Sequence, residues 1–162
     1  MNTTIEDIYT ILQGVTDPEI PVLTIQDLGV LRKVDIEQDE QVAVFITPTY
    51  SGCPAMDMIT VNIKSALQEH GIDNCRVEYV LSPAWTTEWI TAAGRQKLKE
   101  YGIAPPSLRK SSTDLFDEGP QVNCPRCGSE STTLLSQFGS TACKALYQCD
   151  SCKEPFDYFK CH

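Results

Sequence analysis

The sequence has few of the features that identify a membrane protein or a nucleic-acid-binding protein. It contains no run of about 18 apolar residues, so we predict no membrane-spanning helix. The N-terminus lacks a basic segment followed by an apolar one, and we expect no signal peptide and a cytoplasmic location. Lysine and arginine number 13 against 22 aspartates and glutamates, a net charge of −9. This acidity argues against binding to nucleic-acid phosphates and favours neutral or basic partner surfaces.

Residues that would support several catalytic mechanisms are also missing. The chain has two histidines, His70 and His162, and neither is placed in the sequence where it could act as the base for a cysteine nucleophile. Glu69 is adjacent to His70, whereas a di-iron site on helices needs an ExxH spacing. Position 59 is isoleucine, so the arginine that would complete a phosphate-binding CxxxxxR loop at Cys53 is absent. We therefore predict no catalytic residues and a protein that is not an enzyme.

Cysteine, by contrast, is plentiful. The chain holds eight cysteines, and without an export signal these are more typical of metal binding or redox chemistry than of a disulfide framework. Six of the eight follow residue 123. This clustering indicates a second unit at the C-terminal end of the chain.

The apolar pattern predicts an α+β fold, a small two-layer sandwich with the element order α-β-β-α-β-α and its helices on one face of a small sheet. We place this domain at residues 1–103, a proline- and serine-containing linker at 104–120, and a zinc-ribbon-like domain with a four-cysteine site at 121–162. The predicted helices and strands are 4–13, 30–36, 41–47, 54 to about 70, 75–81 and about 87–101.

Two CxxC pairs give the strongest signal for a functional site. Cys124 and Cys127 form one pair, and Cys149 and Cys152 form the other. Each spacing lets two thiolates of one tight turn reach the same ion, and two turns supply the four soft ligands of a tetrahedral site. We predict that these four residues bind zinc, with iron or an iron–sulfur cluster as the alternative, and that the residues between the pairs form a hairpin.

Cys143 and Cys161 are additional thiols of the same region. Cys143 shares a strand face with Cys149 by period two and is interpreted as a packed, apolar residue. Two alternatives stay open: Cys143 and Cys161 form a second ligand set, or they exchange with a cluster in transit.

Cys53 is the candidate for a transient contact with a metal or cluster. Pro54 suits the first position of a helix, so Cys53 is expected near free backbone N–H groups, which would lower the pKa of its thiol. The alternative is a cysteine buried under the sheet. Asp17 is either a solvated turn residue or a second group near Cys53.

Several stretches resemble proteins of iron–sulfur cluster assembly. DPEIPVLTIQDLGVL, TPTYSGCPA and SPAWTTEWIT resemble the small α+β domain of the family that includes bacterial SufT. CPRCGS, FGSTACKALYQC and EPFDYFKC resemble its PaaD branch, the D subunits encoded with the phenylacetyl-CoA epoxidase. The resemblance covers essentially the whole chain.

The resemblance implies a cytosolic accessory protein that helps to mature the phenylacetyl-CoA epoxidase in aerobic phenylacetate degradation. The implied partners are the iron–sulfur flavoprotein reductase subunit or the di-iron catalytic subunit, and a homodimer is compatible with the sequence. The family's cysteine falls on Cys53 and its Asp-Pro-Glu motif on Asp17, Pro18 and Glu19. Two alternatives remain: a docking scaffold, and a rubredoxin-like electron-transfer protein with iron in the four-cysteine site.

Overall fold

The computed structural model describes residues 2–106 and 121–160. The chain divides into two compact units, one ending at Gly94 and the other starting at Arg95. The limits predicted for the first domain, the linker and the ribbon stay a prediction, since 107–120 and 161–162 lie outside the described residues. None of the helices in the described part combines the length and the apolar character needed to cross a bilayer.

The first helix, α1 (Ile5–Leu12), is fixed at its start by a capping box. The backbone N–H of Asp7 donates to the Thr4 hydroxyl at 3.2 Å, and the N–H of Thr4 donates to the Asp7 carboxylate at 2.9 Å. These reciprocal bonds satisfy donors that the first turn of a helix leaves free. Thr4 is therefore the N-cap of this helix.

The first unit contains a mixed sheet of β1 (Leu31–Ile36), β2 (Val42–Ile46) and β3 (Cys75–Tyr79), in the order β1-β2-β3. β1 and β2 are antiparallel, while β2 and β3 are parallel. Parallel neighbours need a crossover connection, and α2 (Ala55–Glu69) provides it. The predicted α+β architecture is confirmed.

The helices cover one face of this sheet, and charged side chains lie on the other. α2 contacts α1 and β3, and α1 contacts β1. Alternation along β2 places Phe45 on the face opposite Val44, and Lys33 and Arg76 lie 5.9 and 6.0 Å from the Phe45 ring. The buried apolar residues of α2 and β2 are Ala55, Met56, Ile59, Ile63, Leu67, Val42, Ala43, Val44 and Ile46.

The third helix begins later than predicted. The sequence predicted one helix from about residue 87 to 101, but Thr87–Trp89 forms a separate 3₁₀ turn and α3 covers Ala92–Tyr101. Thr91 causes the interruption. Its N–H donates to the carbonyl of Asp27 at 2.9 Å, and its hydroxyl accepts from the N–H of Gly94 at 3.0 Å, as an N-cap does. The bond to Asp27 is long-range, so local periodicity does not reveal it.

The second unit is built on a four-stranded sheet in the order β4-β7-β6-β5, whose strands are β4 (Ile103–Ala104), β5 (Thr132–Ser136), β6 (Lys144–Cys149) and β7 (Pro155–Phe159). β5 and β6 form the predicted hairpin. β7 and β4 were not predicted as strands. The core of this sheet consists of Ala104, Val122, Cys124, Ala145, Cys149, Phe156 and Tyr158.

Candidate metal centre and the Cys53 loop

The two CxxC turns share one backbone construction. The carbonyl of Cys124 accepts from the N–H of Gly128 at 2.9 Å, and the carbonyl of Cys149 accepts from the N–H of Lys153 at 3.0 Å. The residue after each second cysteine is left-handed, with φ of +75° at Gly128 and +64° at Lys153. Glycine adopts this conformation freely, whereas lysine does so at a cost. Each turn therefore presents both of its sulfurs on the same side.

The four sulfurs of Cys124, Cys127, Cys149 and Cys152 lie within 4.8 Å of one another. Cys127 Sγ is 3.5 Å from Cys149 Sγ, and Cys124 Sγ is 3.8 Å from Cys152 Sγ. A tetrahedral site with Zn–S bonds of about 2.3 Å has sulfur–sulfur edges of about 3.8 Å. These two distances are close to the edges of such a site, and the remaining sulfur–sulfur distances are no longer than 4.8 Å. Cys124 and Cys149 are buried, while Cys127 and Cys152 are exposed, which places the cluster at the surface of its unit.

The thiols of the second turn differ in acidity. The backbone N–H of Cys152 donates to Cys149 Sγ at 3.4 Å and is the main cause that lowers the pKa of Cys149 to about 6. At Cys152 the backbone N–H of Glu154 lowers the pKa, but burial and the neighbouring sulfurs raise it to about 12. In the metal-free cluster at neutral pH, Cys149 therefore favours the thiolate and Cys152 keeps its proton. A cation that binds here must displace that proton.

Cys143 lies apart from the group of four sulfurs. It directly precedes β6 and is 5% exposed, and its sulfur is 3.0 Å from the Thr141 hydroxyl. Burial of this kind supports the interpretation as a packed residue, which stays a prediction. Cys161 lies outside the described residues, so a ligand set that pairs it with Cys143 also stays a prediction.

Cys53 belongs to the loop between β2 and α2 and is half-buried. Its N–H donates to the carbonyl of Tyr50 at 3.3 Å, and its carbonyl accepts from the N–H of Met56 at 3.2 Å. Gly52 makes the turn possible with φ of +76°. The Thr49 hydroxyl donates to Cys53 Sγ at 3.9 Å. Cys53 is thus held by local hydrogen bonds, and the residue keeps part of its surface open to solvent.

The acidity of Cys53 is opposite to the prediction. Burial raises the pKa of its thiol, and this outweighs the hydrogen bonds from the N–H of Ala55 and the hydroxyl of Thr49, which lower it. The carboxylate of Glu19 raises the pKa further. α2 starts at Ala55 with Pro54 as its N-cap, so Cys53 lies just outside the helix. Cys53 is a protonated thiol at neutral pH, and the predicted lowering of its pKa is wrong.

Asp17 organises the turn that carries Glu19. Its carboxylate accepts from the N–H of Glu19 at 2.7 Å and from the N–H of Ile20 at 3.1 Å. The residue is 7% exposed, so it is a buried turn residue rather than a solvated one. The charge of Glu19 acts on Cys53, while a role for Asp17 as a second group near Cys53 stays a prediction.

Sequence reasoning missed the hydroxyl groups around Cys53. Thr49 and Tyr50 both form side-chain hydrogen bonds that lower the pKa of Cys53. They precede it by only a few residues in TPTYSGC, and that proximity was the available signal. The prediction weighed the helix start alone and left these neighbours out.

Two family models match this chain. The model described as "PaaD zinc beta ribbon domain" matches residues 109–160 and spans all four cysteines of the cluster. The model described as "Iron-sulfur cluster assembly protein" matches residues 5–79 and spans both the Asp17 turn and Cys53.

Relatives and solved structures agree with these matches. The chain is 51% identical to the D subunit of the "Putative 1,2-phenylacetyl-CoA epoxidase" of Escherichia coli (strain K12), over 97% of this chain and 93% of that protein. It is 34% identical to the "Fe-S protein maturation auxiliary factor" of Porphyromonas gingivalis, over 53% of this chain and 82% of that protein. The crystal structure of a domain of unknown function, DUF59, from Bacillus anthracis matches with a TM-score of 0.54 and 25% identity, covering 58% of this chain and 90% of that chain.

Proposed function

Because the chain belongs to the PaaD family, with its iron–sulfur assembly domain and its zinc ribbon, we propose that it is a non-catalytic accessory protein that assists maturation of the phenylacetyl-CoA epoxidase system. One observation carries the proposal. A single chain joins a match to the iron–sulfur assembly family with the PaaD ribbon and aligns over nearly its full length with a protein named as a D subunit of that epoxidase. The expected clients are the iron–sulfur flavoprotein reductase subunit or the di-iron catalytic subunit.

In this proposal the ribbon is a metal-stabilised docking module. Cys124, Cys127, Cys149 and Cys152 hold zinc, whose tetrahedral preference matches the sulfur spacing. The ion would supply folding free energy to a unit with a small apolar core. The ribbon residues themselves fix the ligand positions and present the surrounding surface to a client.

Cys53 is proposed as the residue that contacts iron or a cluster in transit. The residue is half-buried, and its sulfur accepts a hydrogen bond from the Thr49 hydroxyl. To bind iron it must release its proton to solvent, because the thiolate is the ligand. Binding of a cation also favours the thiolate electrostatically, which offsets the burial and the Glu19 charge that raise its pKa.

The test replaces Cys53 by alanine in a strain that produces the epoxidase system, and measures iron and acid-labile sulfide in the purified reductase. Cys53→Ala is expected to lower both. Cys75→Ala is the matched control, because Cys75 is also a half-buried free thiol of the first unit with a pKa raised by burial. Normal cluster content in Cys53→Ala, or an equal loss in Cys75→Ala, would contradict the role of Cys53.

The identity of the resident metal needs a separate experiment. Protein purified without oxygen is analysed for zinc and iron and by visible spectroscopy. Zinc at about one ion per chain, the capacity of one four-cysteine site, supports a structural ribbon. Iron at the same ratio, with reversible reduction, supports the electron-transfer alternative, since four thiolates also accept iron.

A docking scaffold is the second candidate function, and the raised pKa of Cys53 favours it. A scaffold would need the ribbon to fold but would not need the thiol. Co-purification with epoxidase subunits that survives Cys53→Ala, together with normal cluster content in the clients, identifies the scaffold. Co-purification that survives while cluster content falls identifies the maturation role.

A further inference from the structure

Two serine hydroxyls join the two CxxC turns beside the four sulfurs. We call these turns, residues 124–127 and 149–152, the first and second knuckle. Ser129 follows the first CxxC pair, and Ser151 lies inside the second. Their oxygens are 2.8 Å apart, and the Ser129 hydroxyl also accepts from the N–H of Ser131 at 3.1 Å. The carbonyl of Ser129 accepts from the N–H of Cys124 at 2.9 Å. Ser129 is thus bonded both to a ligand residue of its own knuckle and to the opposite knuckle.

Asp150 makes a second connection from the other side. Its carboxylate accepts from the hydroxyl of Ser131 at 3.2 Å and from the hydroxyl of Thr133 at 3.1 Å. Its N–H donates to the carbonyl of Ser131 at 2.9 Å. Asp150 immediately follows the ligand Cys149, so these bonds tie the start of the second knuckle to the chain that leaves the first.

Apart from the bond to Thr133, which lies within β5, these contacts lie at or beyond the end of the β5–β6 ladder. The β5–β6 ladder ends with Thr132 opposite Cys149. Cys127 and Cys152, the second cysteines of the two pairs, lie beyond that register and are exposed. The position of the knuckles relative to each other there depends on bonds other than ladder bonds, and the hydroxyl and carboxylate contacts provide them.

We propose that Ser129, Ser151 and Asp150 are positioning residues that set the spacing of the four sulfurs before the metal binds. The inference rests on the metal binding proposed for the ribbon and is independent of the maturation role. None of the three residues needs to touch the ion. They act through the backbone of the knuckles, as outer-shell groups do when they orient ligands.

Preorganised ligands hold a metal longer because a ligand that detaches stays close to the ion. Loss of outer-shell partners lowers metal affinity about 10–100-fold in known sites. The knuckles are joined both by the Ser129–Ser151 bond and by the bonds of Asp150, so loss of the serine bond leaves the Asp150 connection in place. We therefore expect an effect at the lower end of this range, with Ser129→Ala or Ser151→Ala speeding zinc release about tenfold. The two serines share one bond, and the Ser129 hydroxyl also accepts from the N–H of Ser131, so the double variant should release zinc no faster than Ser129→Ala alone.

The experiment uses the full chain loaded with zinc and measures release to a chromogenic chelator. Ser136→Ala and Asp157→Asn are matched controls, because both residues hydrogen-bond elsewhere on the same sheet, to Phe138 and to Ser140. They should release zinc at the wild-type rate. Cobalt loading adds a second readout, because its visible spectrum reports the tetrahedral geometry that positioning would alter.

Asp150 needs a variant that separates position from charge. Asp150→Asn keeps an acceptor oxygen for the two hydroxyls and removes the charge, so it should release zinc almost as slowly as the wild type. Asp150→Ala removes the acceptor and should release it faster. Equal release from these two variants would show that charge, rather than positioning, is the cause.

Three results separate the outcomes. Wild-type release rates in all alanine variants would overturn the inference while leaving metal binding intact. Additive effects of the two serine replacements would overturn the shared bond. A wild-type protein that binds neither zinc nor cobalt would refute the metal proposal itself. If Asp150→Ala does not fold, the serine variants still decide the question, since Ser151 is exposed at the surface.

Discussion

Gly29 and Gly52 have almost the same backbone conformation in different surroundings, and their replacement by alanine therefore separates strain from steric clash. Their φ angles are +71° and +76°. A Cβ at Gly29 would lie 2.6 Å from Trp89 Cβ and 2.7 Å from the Trp89 carbonyl oxygen, whereas a Cβ at Gly52 would meet nothing within 4 Å. A left-handed L-residue costs about 1–2 kcal/mol, which is the expected cost of Gly52→Ala.

Gly29→Ala should carry the same backbone cost and an additional packing cost. Overpacking typically costs about 1–3 kcal/mol, so we expect a total of about 2–5 kcal/mol for this variant. The neighbouring atoms include backbone, which a rotamer change does not move. The loss of unfolding free energy should therefore be clearly larger for Gly29→Ala than for Gly52→Ala.

Urea unfolding followed by tryptophan fluorescence measures both values. Trp85 and Trp89, the two tryptophans of the chain, lie in the unit that ends at Gly94. Trp85 is buried and its indole N–H donates to the Leu28 carbonyl at 2.8 Å. The signal thus reports unfolding of the unit that contains the substituted glycines.

Gly14→Ala provides the control, because its added Cβ would make ordinary contact with the Ile11 carbonyl at 3.5 Å and no left-handed φ is needed there. It should change stability little, or raise it by up to about 1 kcal/mol. Equal destabilisation by Gly29→Ala and Gly52→Ala would refute the steric argument. A loss in Gly14→Ala as large as that in Gly52→Ala would refute the argument from φ.

Three further predictions concern the two sites. Lys153→Gly should stabilise the zinc-loaded ribbon by about 0.5–1 kcal/mol, because glycine at this left-handed position avoids the strain of lysine; a lower midpoint in thermal unfolding followed by circular dichroism would contradict this. Glu19→Gln should speed alkylation of Cys53 at neutral pH and Thr49→Ala should slow it, because the Glu19 charge raises the pKa of Cys53 and the Thr49 hydrogen bond lowers it; mass spectrometry of the Cys53 peptide measures both rates. Zinc affinity should rise between about pH 6 and about pH 8, because Cys152 keeps its proton in the metal-free cluster and must release it on binding; calorimetry in buffers of different ionisation enthalpy counts the released protons.

Elements with their own periodic pattern were predictable from the sequence, and elements defined by a partner were not. α2 carries a complete apolar stripe and ends before Gly71, whose φ is +79°, so both its face and its end are local properties. β4 has two residues and pairs only with β7 within the described part of the chain, a length too short to show alternation. α3 starts late because Thr91 bonds to the distant Asp27.

The grouping of the four sulfurs was predictable for a similar reason. Each CxxC pair brings its two sulfurs together through local geometry, and only the meeting of the two pairs depends on tertiary structure. The hairpin register that places Thr132 opposite Cys149 brings them together. The hydroxyl bridge between Ser129 and Ser151 was not predictable, because serine near a turn is common and its partner is set by that register.

The acidity of Cys53 shows where local reasoning fails and gives the maturation proposal its own pH dependence. The helix start was predicted correctly to within one residue, but desolvation by the packed unit outweighs the nearby N–H groups. A thiol with a raised pKa is fully protonated at low pH. It becomes a thiolate only as the pH rises above the ordinary pKa of a cysteine thiol. Iron transfer through Cys53 should therefore accelerate with rising pH, and Glu19→Gln should shift that acceleration to lower pH. The measurement is the rate of iron transfer from the iron-loaded protein to the client. Docking alone requires no thiolate, so the scaffold is favoured if this rate does not depend on pH and is equal in the wild type and Glu19→Gln.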